Sequence, residues 1–196
     1  MIRIVLTLVF GVFLAGCQST YNAPPVSAEQ AALIAMPTAN IMAEVNAELP
    51  AFLEEDVVLE QVAFKIGRPL SADETELARR LGVQSPGKVR IAVVPRIPGK
   101  ATRQDYLSRY ANLRTTRALA AGYGIIVAKG LGEARWVLAH ELVHVRQFER
   151  LGREGLARQV LIERAVLAGK TVIPIEQEAI FDSAEALGIA PPYYPY

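Results

Sequence analysis

The sequence contains few of the residues that most often bind metal ions or cross-link chains. Among its 196 residues there are one cysteine, two histidines and one tryptophan. A single cysteine excludes an intramolecular disulfide, so the chain must be stabilised by its own apolar core. Charge of one sign is also lacking, because 21 basic side chains face 20 acidic ones. This near-neutral balance gives no electrostatic basis for nucleic-acid binding, and we expect no nucleic-acid partner.

Both histidines fall in one five-residue string, His140-Glu141-Leu142-Val143-His144. On a helix, residues four apart lie on one face, so both imidazoles can bind the same metal ion. A glutamate directly after the first histidine completes a pattern that is typical of zinc hydrolases, and we therefore predict Zn²⁺ as the cofactor. In such a site Glu141 is the catalytic residue, acting as general base on the attacking water.

The segment around this string has the features of a helix. Residues 133–149 contain neither glycine nor proline, and their apolar residues recur at roughly helical spacing. Gly130 and Gly132 precede the segment and Gly152 follows it, so it is bounded by residues that interrupt helices. We therefore predict that the two histidines lie on one face of a single helix.

A catalytic zinc site usually has three protein ligands, and the third must here be a carboxylate because no histidine remains. The best candidates lie in residues 174–188, whose proline start and glycine end fit a helix. Glu178 and Asp182 are four apart on one face of that helix. Glu178 can bind zinc while Asp182 accepts a hydrogen bond from the outer nitrogen of a ligating histidine. Glu176 is the alternative ligand, but it has no acid four residues further on.

The two motifs together resemble the gluzincin metallopeptidases, the group typified by thermolysin. His140-Glu141-x-x-His144 is followed, on a second helix, by Glu178-x-x-x-Asp182. The resemblance implies a metal site of His140, His144 and Glu178, with Asp182 in support, and a hydrolase that acts on polypeptide. It also implies an α+β, helix-rich fold: a minimal zincin-like domain with a small sheet. In that fold, the strand before the metal helix is an edge strand that pairs with extended substrate.

The resemblance covers about residues 120 to 188, and the remainder of the chain reads as part of the same helix-rich domain. Ser27 and Ser71 begin patterns of the capping-box type, which mark helix starts. The other predicted elements are a short helix ending before Pro37, helices at 39–49 and 51–66 separated by Pro50, a helix ending near Gly82, a strand at 88–94, a helix at 104–120, a strand at 124–128 and a helix at 154–168.

The N-terminus has the pattern of a lipoprotein signal peptide. Arg3 precedes an apolar run from Ile4 to Leu14, which is too short to span a bilayer. The run ends in Leu14-Ala-Gly-Cys17, which resembles a bacterial lipobox, and the resemblance implies lipidation of Cys17 and a stable membrane anchor. The following Gln18 resembles the class that is sorted to the outer membrane.

These patterns predict three segments. Residues 1–16 form the signal peptide, residues 17–29 carry the lipidated cysteine and a tether, and residues 30–196 form the metallopeptidase domain. The mature protein is expected in the bacterial cell envelope, anchored by lipid to the outer membrane and facing the periplasm.

Three functions remain open at this point. The first is a zinc peptidase of the cell envelope, the second is a catalytically weak, zincin-derived binding or scaffold lipoprotein, and the third is a zinc amidase acting on peptidoglycan. The sequence leaves the residue that stabilises the oxyanion undecided among Tyr110, Tyr123, Arg158 and the tyrosines of the C-terminal tail.

Overall fold

The structure is a computed structural model, and it describes residues 25–97, 118–130, 134–167 and 172–191. The helices and strands are α1 (Ala28–Ala35), α2 (Ala39–Ile66), β1 (Arg68–Pro69), α3 (Ala72–Arg80), β2 (Arg90–Val94), β3 (Ala118–Ala121), β4 (Gly124–Ala128), α4 (Arg135–Leu167) and α5 (Pro174–Leu187). A 3₁₀ turn at Pro86–Lys88 precedes β2. The expected α+β, helix-rich class with a small sheet is confirmed.

Some of the predictions concern residues outside the described ranges. These are the signal peptide, the lipidation site Cys17, most of the helix expected at 104–120, and the tail tyrosines. Among the helices that the structure does describe, none is both long and apolar enough to cross a membrane.

The four strands form one mixed sheet in the order β1-β2-β4-β3. Strand β2 runs parallel to β4, with Ile91 opposite Ile125, and the outer strands β1 and β3 are antiparallel to their neighbours. Alternate residues of β4 point to opposite sides, so Ile125 and Val127 enter one apolar cluster while Ile126 enters another. The sheet is therefore covered by apolar layers on both faces.

Strand β3 occupies residues that the sequence pattern had assigned to the end of a helix, so that prediction is wrong for residues 118–120. A tight turn at Gly122 and Tyr123 joins β3 to β4. Gly122 has a φ of +54°, and a side chain there would meet the carboxylate of Glu60 on α2. Glu60 in turn accepts a hydrogen bond from the backbone N–H of Tyr123 at 2.8 Å. The hairpin is thus fixed by a distant helix, which a local pattern cannot show.

Helix α2 covers one face of the sheet, and α3, α4 and α5 cover the other. Leu59 and Ala63 of α2 pack against Ile126 and Val94. On the opposite face, a larger cluster joins residues of α3, α4 and α5 to the strands. This second layer contains the helix with both histidines.

The sequence pattern predicts breaks at Pro50 and at Gly152, and the structure contradicts the first and confirms the second. Pro50 lies inside α2, where it removes one backbone hydrogen bond at a cost of about 3 kcal/mol. The buried residues Leu49 and Leu59 on either side keep α2 packed as one element. In α4, Gly152 has a non-helical backbone with a φ of +71°, so α4 consists of two helical segments that meet there at a kink. The bend sets the second half of α4 beside the start of α5.

The remaining boundaries agree closely with the sequence patterns. Ser27 and Ser71 both form reciprocal capping boxes, with Gln30 and Glu74. Helix α5 begins at Pro174 as expected and ends at the residue before a left-handed glycine.

Candidate metal site

The two histidines of helix α4 lie on a different face from the one that packs against the sheet. One face enters the apolar cluster that covers the sheet, and its members on α4 are Leu138, Ala139, Leu142, Val143 and Val145. Four of these five side chains are completely buried. The imidazoles of His140 and His144 project from another face, and their side chains are only 12% and 16% exposed.

Helix α5 supplies the third side chain of the site. Ala179 of α5 is completely buried in the same apolar cluster, and its small side chain allows the two helices to approach closely. Glu176 lies in the first turn of α5, where the helix dipole favours a carboxylate. Its side chain is 35% exposed and reaches both histidines. The expected pairing of a two-histidine helix with a carboxylate from the following helix is therefore present.

The three side chains place one ligand atom each around a common point. Nε2 of His140 and Nε2 of His144 are 3.1 Å apart, and they lie 3.2 and 3.4 Å from the same oxygen of Glu176, Oε2. Ligands bound tetrahedrally at the usual zinc distances are about 3.3–3.4 Å from one another. The separations therefore match those of a zinc coordination sphere, and the three residues form a possible metal-binding group.

The charges of the site also suit a cation. Burial works to raise the pKa of Glu176, but the two histidines outweigh it and hold that pKa well below its usual value. Burial lowers the pKa of His144, yet the carboxylates of Glu176 and Glu141 reverse the effect and raise it to about 9. The acids thus create a negative potential that retains a proton on His144. The same potential would attract a divalent cation.

Glu141 lies beside this group. Its side chain is buried, at 5% exposure, and burial raises its pKa above the usual value. The backbone N–H of Ala120 in β3 donates a hydrogen bond to its carboxylate. The second oxygen, Oε2, is buried and has no hydrogen-bond partner among the residues that the structure describes. Since such an atom is costly to leave unsatisfied, it marks a place where a polar group from outside the chain would bind.

The outer nitrogen of His144 is fixed by a residue that sequence reasoning missed. Nδ1 of His144 lies 2.8 Å from Oε1 of Gln147, an oxygen that can only accept, so the proton lies on Nδ1. Because Nδ1 is committed to Gln147, Nε2 is the nitrogen that would bind a metal, once the metal has displaced its proton. Gln147 thus occupies the role that we expected for Asp182. Its position three residues after His144, on the same helix face, was the available signal.

The structure does not bring Glu178 or Asp182 to the histidines. Arg146 and Arg150 bind Glu178, at 2.6 and 2.8 Å, and Arg146 also binds Asp182 at 2.5 Å. The expected metal ligand and the expected supporting acid are therefore both engaged in ion pairs. Glu176, the alternative, takes the position we expected for Glu178.

Helix geometry explains why only one of the two glutamates can face the histidines. Residues two apart on a helix point about 200° away from each other, so Glu176 and Glu178 lie on nearly opposite faces. Arg146 and Arg150 of α4 have the same four-residue spacing as Glu178 and Asp182. The facing pairs form a ladder of opposite charges. The arginines were the signal that the acidic pair serves as a helix-to-helix contact.

The structure also corrects the expectation for the substrate strand. Strand β4 is internal, because β2 and β3 flank it. The strand at this end of the described sheet is β3, which touches Glu141 through Ala120. Within the described sheet, the edge strand beside the two-histidine helix is therefore the one that precedes β4 in the chain.

Two of the oxyanion candidates are engaged elsewhere. The ring of Tyr123 packs edge-on against Phe148 at 5.2 Å. Arg158 pairs with Glu154 and Asn46 on the outer surface. Tyr110 and the tail tyrosines lie outside the described residues.

Comparisons of this chain with protein-family models, with curated proteins and with solved structures found no match.

Proposed function

We propose that the chain is a zinc-dependent hydrolase of the cell envelope, with the metal bound by His140, His144 and Glu176. The observation that carries this proposal is the spacing of the three ligand atoms, 3.1 to 3.4 Å, which matches a tetrahedral zinc site. Two imidazoles and one carboxylate are the donor set of a catalytic zinc centre, which leaves the fourth position for water or substrate.

Glu141 supplies the proton chemistry. When bound, zinc would lower the pKa of water and polarise a substrate carbonyl. The unpartnered Oε2 of Glu141 would accept the proton of the attacking water and then pass it to the leaving nitrogen. Its pKa is raised by burial, which makes the carboxylate a stronger proton acceptor than an exposed glutamate. The Ala120 N–H keeps the carboxylate oriented throughout.

The substrate that we propose is an amide of a polypeptide, and a peptidoglycan cross-link is the alternative. Strand β3 lies at the edge of the described sheet, next to the catalytic glutamate, and this supports an extended chain as substrate, because extended chains bind at sheet edges. The anchor that we propose at Cys17 would keep the enzyme at the membrane, where envelope proteins and the cell wall are both within reach.

The experiment compares the wild-type chain with Glu141→Gln. Both proteins are loaded with zinc and incubated with a diverse peptide library and with purified sacculi, and the products are analysed by mass spectrometry. We expect both to bind zinc, while the Gln variant is slower by about 10²–10⁴-fold because it lacks the proton-transfer group. Glu154→Gln, a matched change on the exposed surface of the same helix, should leave the rate unchanged.

The products decide between the candidate functions. Cleavage of peptides supports the peptidase, and release of cross-link fragments from sacculi supports the amidase. Zinc binding without turnover in either assay would instead support a binding lipoprotein. In that case Glu141→Gln should fully complement a deletion strain.

A further inference from the structure

We propose that Gln147 and Glu163 act together as a clamp that positions Glu176 and His144 for metal binding. This proposal rests on the proposed function, since it concerns the same metal site. Both residues lie on α4, on either side of the bend at Gly152, and both are almost completely buried, at 0% and 1% exposure. Burying polar side chains of this kind costs free energy unless hydrogen bonds compensate for the lost water.

Both residues of the clamp form hydrogen bonds with the backbone of Ile175, the residue directly before Glu176. Oε2 of Glu163 accepts a hydrogen bond from the Ile175 N–H at 3.0 Å. Nε2 of Gln147 donates a hydrogen bond to the Ile175 carbonyl at 2.9 Å. Both polar backbone groups of one residue are thus fixed by side chains from another helix, which sets where α5 begins and where Glu176 projects.

Glu163 also replaces a missing helix cap. The first N–H groups of a helix have no partner within the helix and are usually capped by the residue that precedes it. In α5 that residue is Ile173, which has no polar side chain. Glu163 supplies the cap from α4, and Gln159 supports it with a hydrogen bond of 2.6 Å to its other oxygen. The bend at Gly152 is what allows α4 to reach this point.

Gln147 connects the same backbone to a metal ligand. Its oxygen accepts the Nδ1–H of His144 at 2.8 Å, and its nitrogen donates to Ile175 and, at 3.1 Å, to Glu178. Every hydrogen-bonding hydrogen of the amide is used, so its orientation is fully determined. One side chain therefore couples the orientation of His144 to the position of Glu176. Glu178, in turn, steadies that amide.

The test measures zinc affinity by competition with a chromophoric chelator. Gln147→Met and Glu163→Met keep the approximate shape of each side chain but remove its hydrogen bonds. We expect each to weaken zinc binding by about 10–100-fold, the usual effect of losing a residue that orients a ligand. Glu163→Gln retains an oxygen acceptor for the Ile175 N–H and should restore binding to within about threefold of wild type.

The matched control is Ser183→Ala. Ser183 is buried on α5 and its hydroxyl donates a hydrogen bond to the carbonyl of Ile180, so this change removes a buried hydrogen bond outside the clamp. Zinc affinity should stay at the wild-type value. If Gln147→Met does not fold, Gln147→Asn replaces it, because its shorter amide cannot reach both His144 and Ile175.

Amide hydrogen exchange provides a readout that does not depend on metal. The Ile175 N–H should be protected in the wild type and in Glu163→Gln, and should exchange rapidly in Glu163→Met. If the folded Met variants bind zinc as tightly as the wild type, the clamp proposal is overturned. If the wild type itself binds no zinc, the proposed function fails, and protection of the Ile175 amide then shows whether the clamp exists as a structural feature.

Discussion

At the scale of single residues, the site depends on which of two glutamates faces the histidines. The structure pairs Glu178 with two arginines and leaves Glu176 beside His140 and His144. The motif alone could not decide this, because both glutamates lie on the same predicted helix. The decision comes from the rotation of α5 against α4, which the arginine ladder and the Ile175 contacts set together.

The first prediction follows from this assignment. Glu176→Gln should weaken zinc binding by more than about 100-fold, because it removes a ligand and the negative charge that attracts the cation. Glu178→Gln is the matched control and should change affinity far less, because Glu178 reaches the site only through Gln147. Competition titrations of both variants measure the difference. If Glu178→Gln loses zinc and Glu176→Gln keeps it, the ligand assignment is reversed.

Asp182 gives a related prediction at the same scale. Its carboxylate is bound to Arg146, so Asp182→Asn should leave zinc affinity within about threefold of wild type, below the 10–100-fold loss expected for a residue that orients a ligand. A calorimetric titration with zinc would measure this. A loss in the larger range would mean that Asp182 supports a histidine in solution, as the sequence motif had suggested.

At the scale of elements, the sequence predicted what depends on local chemistry and failed where distant contacts decide. The capping boxes at Ser27 and Ser71, strand β4 and both ends of α5 follow from side chains within a few residues of each boundary. Strand β3 does not follow from nearby side chains, because its position depends on the hydrogen bond between the Tyr123 N–H in its turn and the distant Glu60. Pro50 predicts a break because the local cost of proline is visible in the sequence. The packing of α2 against other elements, which offsets this cost, is not visible there.

The helix through Pro50 gives a prediction about stability. Pro50 is exposed, so Pro50→Ala removes no core contact and restores the backbone hydrogen bond that proline lacks. We expect the free energy of unfolding to rise by roughly 1–3 kcal/mol. Chemical denaturation of both proteins, monitored by circular dichroism, would measure this change. An unchanged or lower stability would show that α2 is not continuous at this position.

The start of α3 gives a prediction about pH. Hydrogen bonds from Arg68 lower the pKa of Glu74 below its usual value of 4.5, and burial only partly opposes them. A carboxylate whose pKa is lower in the folded state stabilises the fold above 4.5, and this contribution is lost as the pH falls through the folded value. Glu74→Gln should therefore be less stable than wild type at pH 7, and the difference should shrink below pH 4.5. A difference that stayed constant on acidification would contradict this assignment.

At the scale of the whole molecule, location is a separate prediction. The lone cysteine, Cys17, closes a lipobox-like string, so the wild-type protein should fractionate with membranes and carry the added mass of lipid. Cys17→Ser should remain unlipidated and unprocessed at this site. Mass spectrometry of the purified full-length chain reads out both results, and a soluble wild type with an unmodified cysteine would refute the anchor.

The domain as a whole is organised around the contact between α4 and α5. One apolar layer fixes α4 on the sheet, the arginine ladder sets the rotation of α5, and the two buried polar residues fix its first turn. The His140, His144 and Glu176 group lies where these constraints meet. None of these constraints involves a metal ion, so we expect zinc to add to the stability of the proposed site without creating the fold.

The central claim is a zinc ion bound by these three side chains, and the most direct test is a crystal structure with anomalous diffraction data collected on both sides of the zinc absorption edge. We predict one anomalous peak per chain, within about 2.0–2.2 Å of Nε2 of His140, Nε2 of His144 and a carboxylate oxygen of Glu176. A zinc bound through Glu178, a peak elsewhere on the chain, or no peak in zinc-supplemented crystals would contradict the claim.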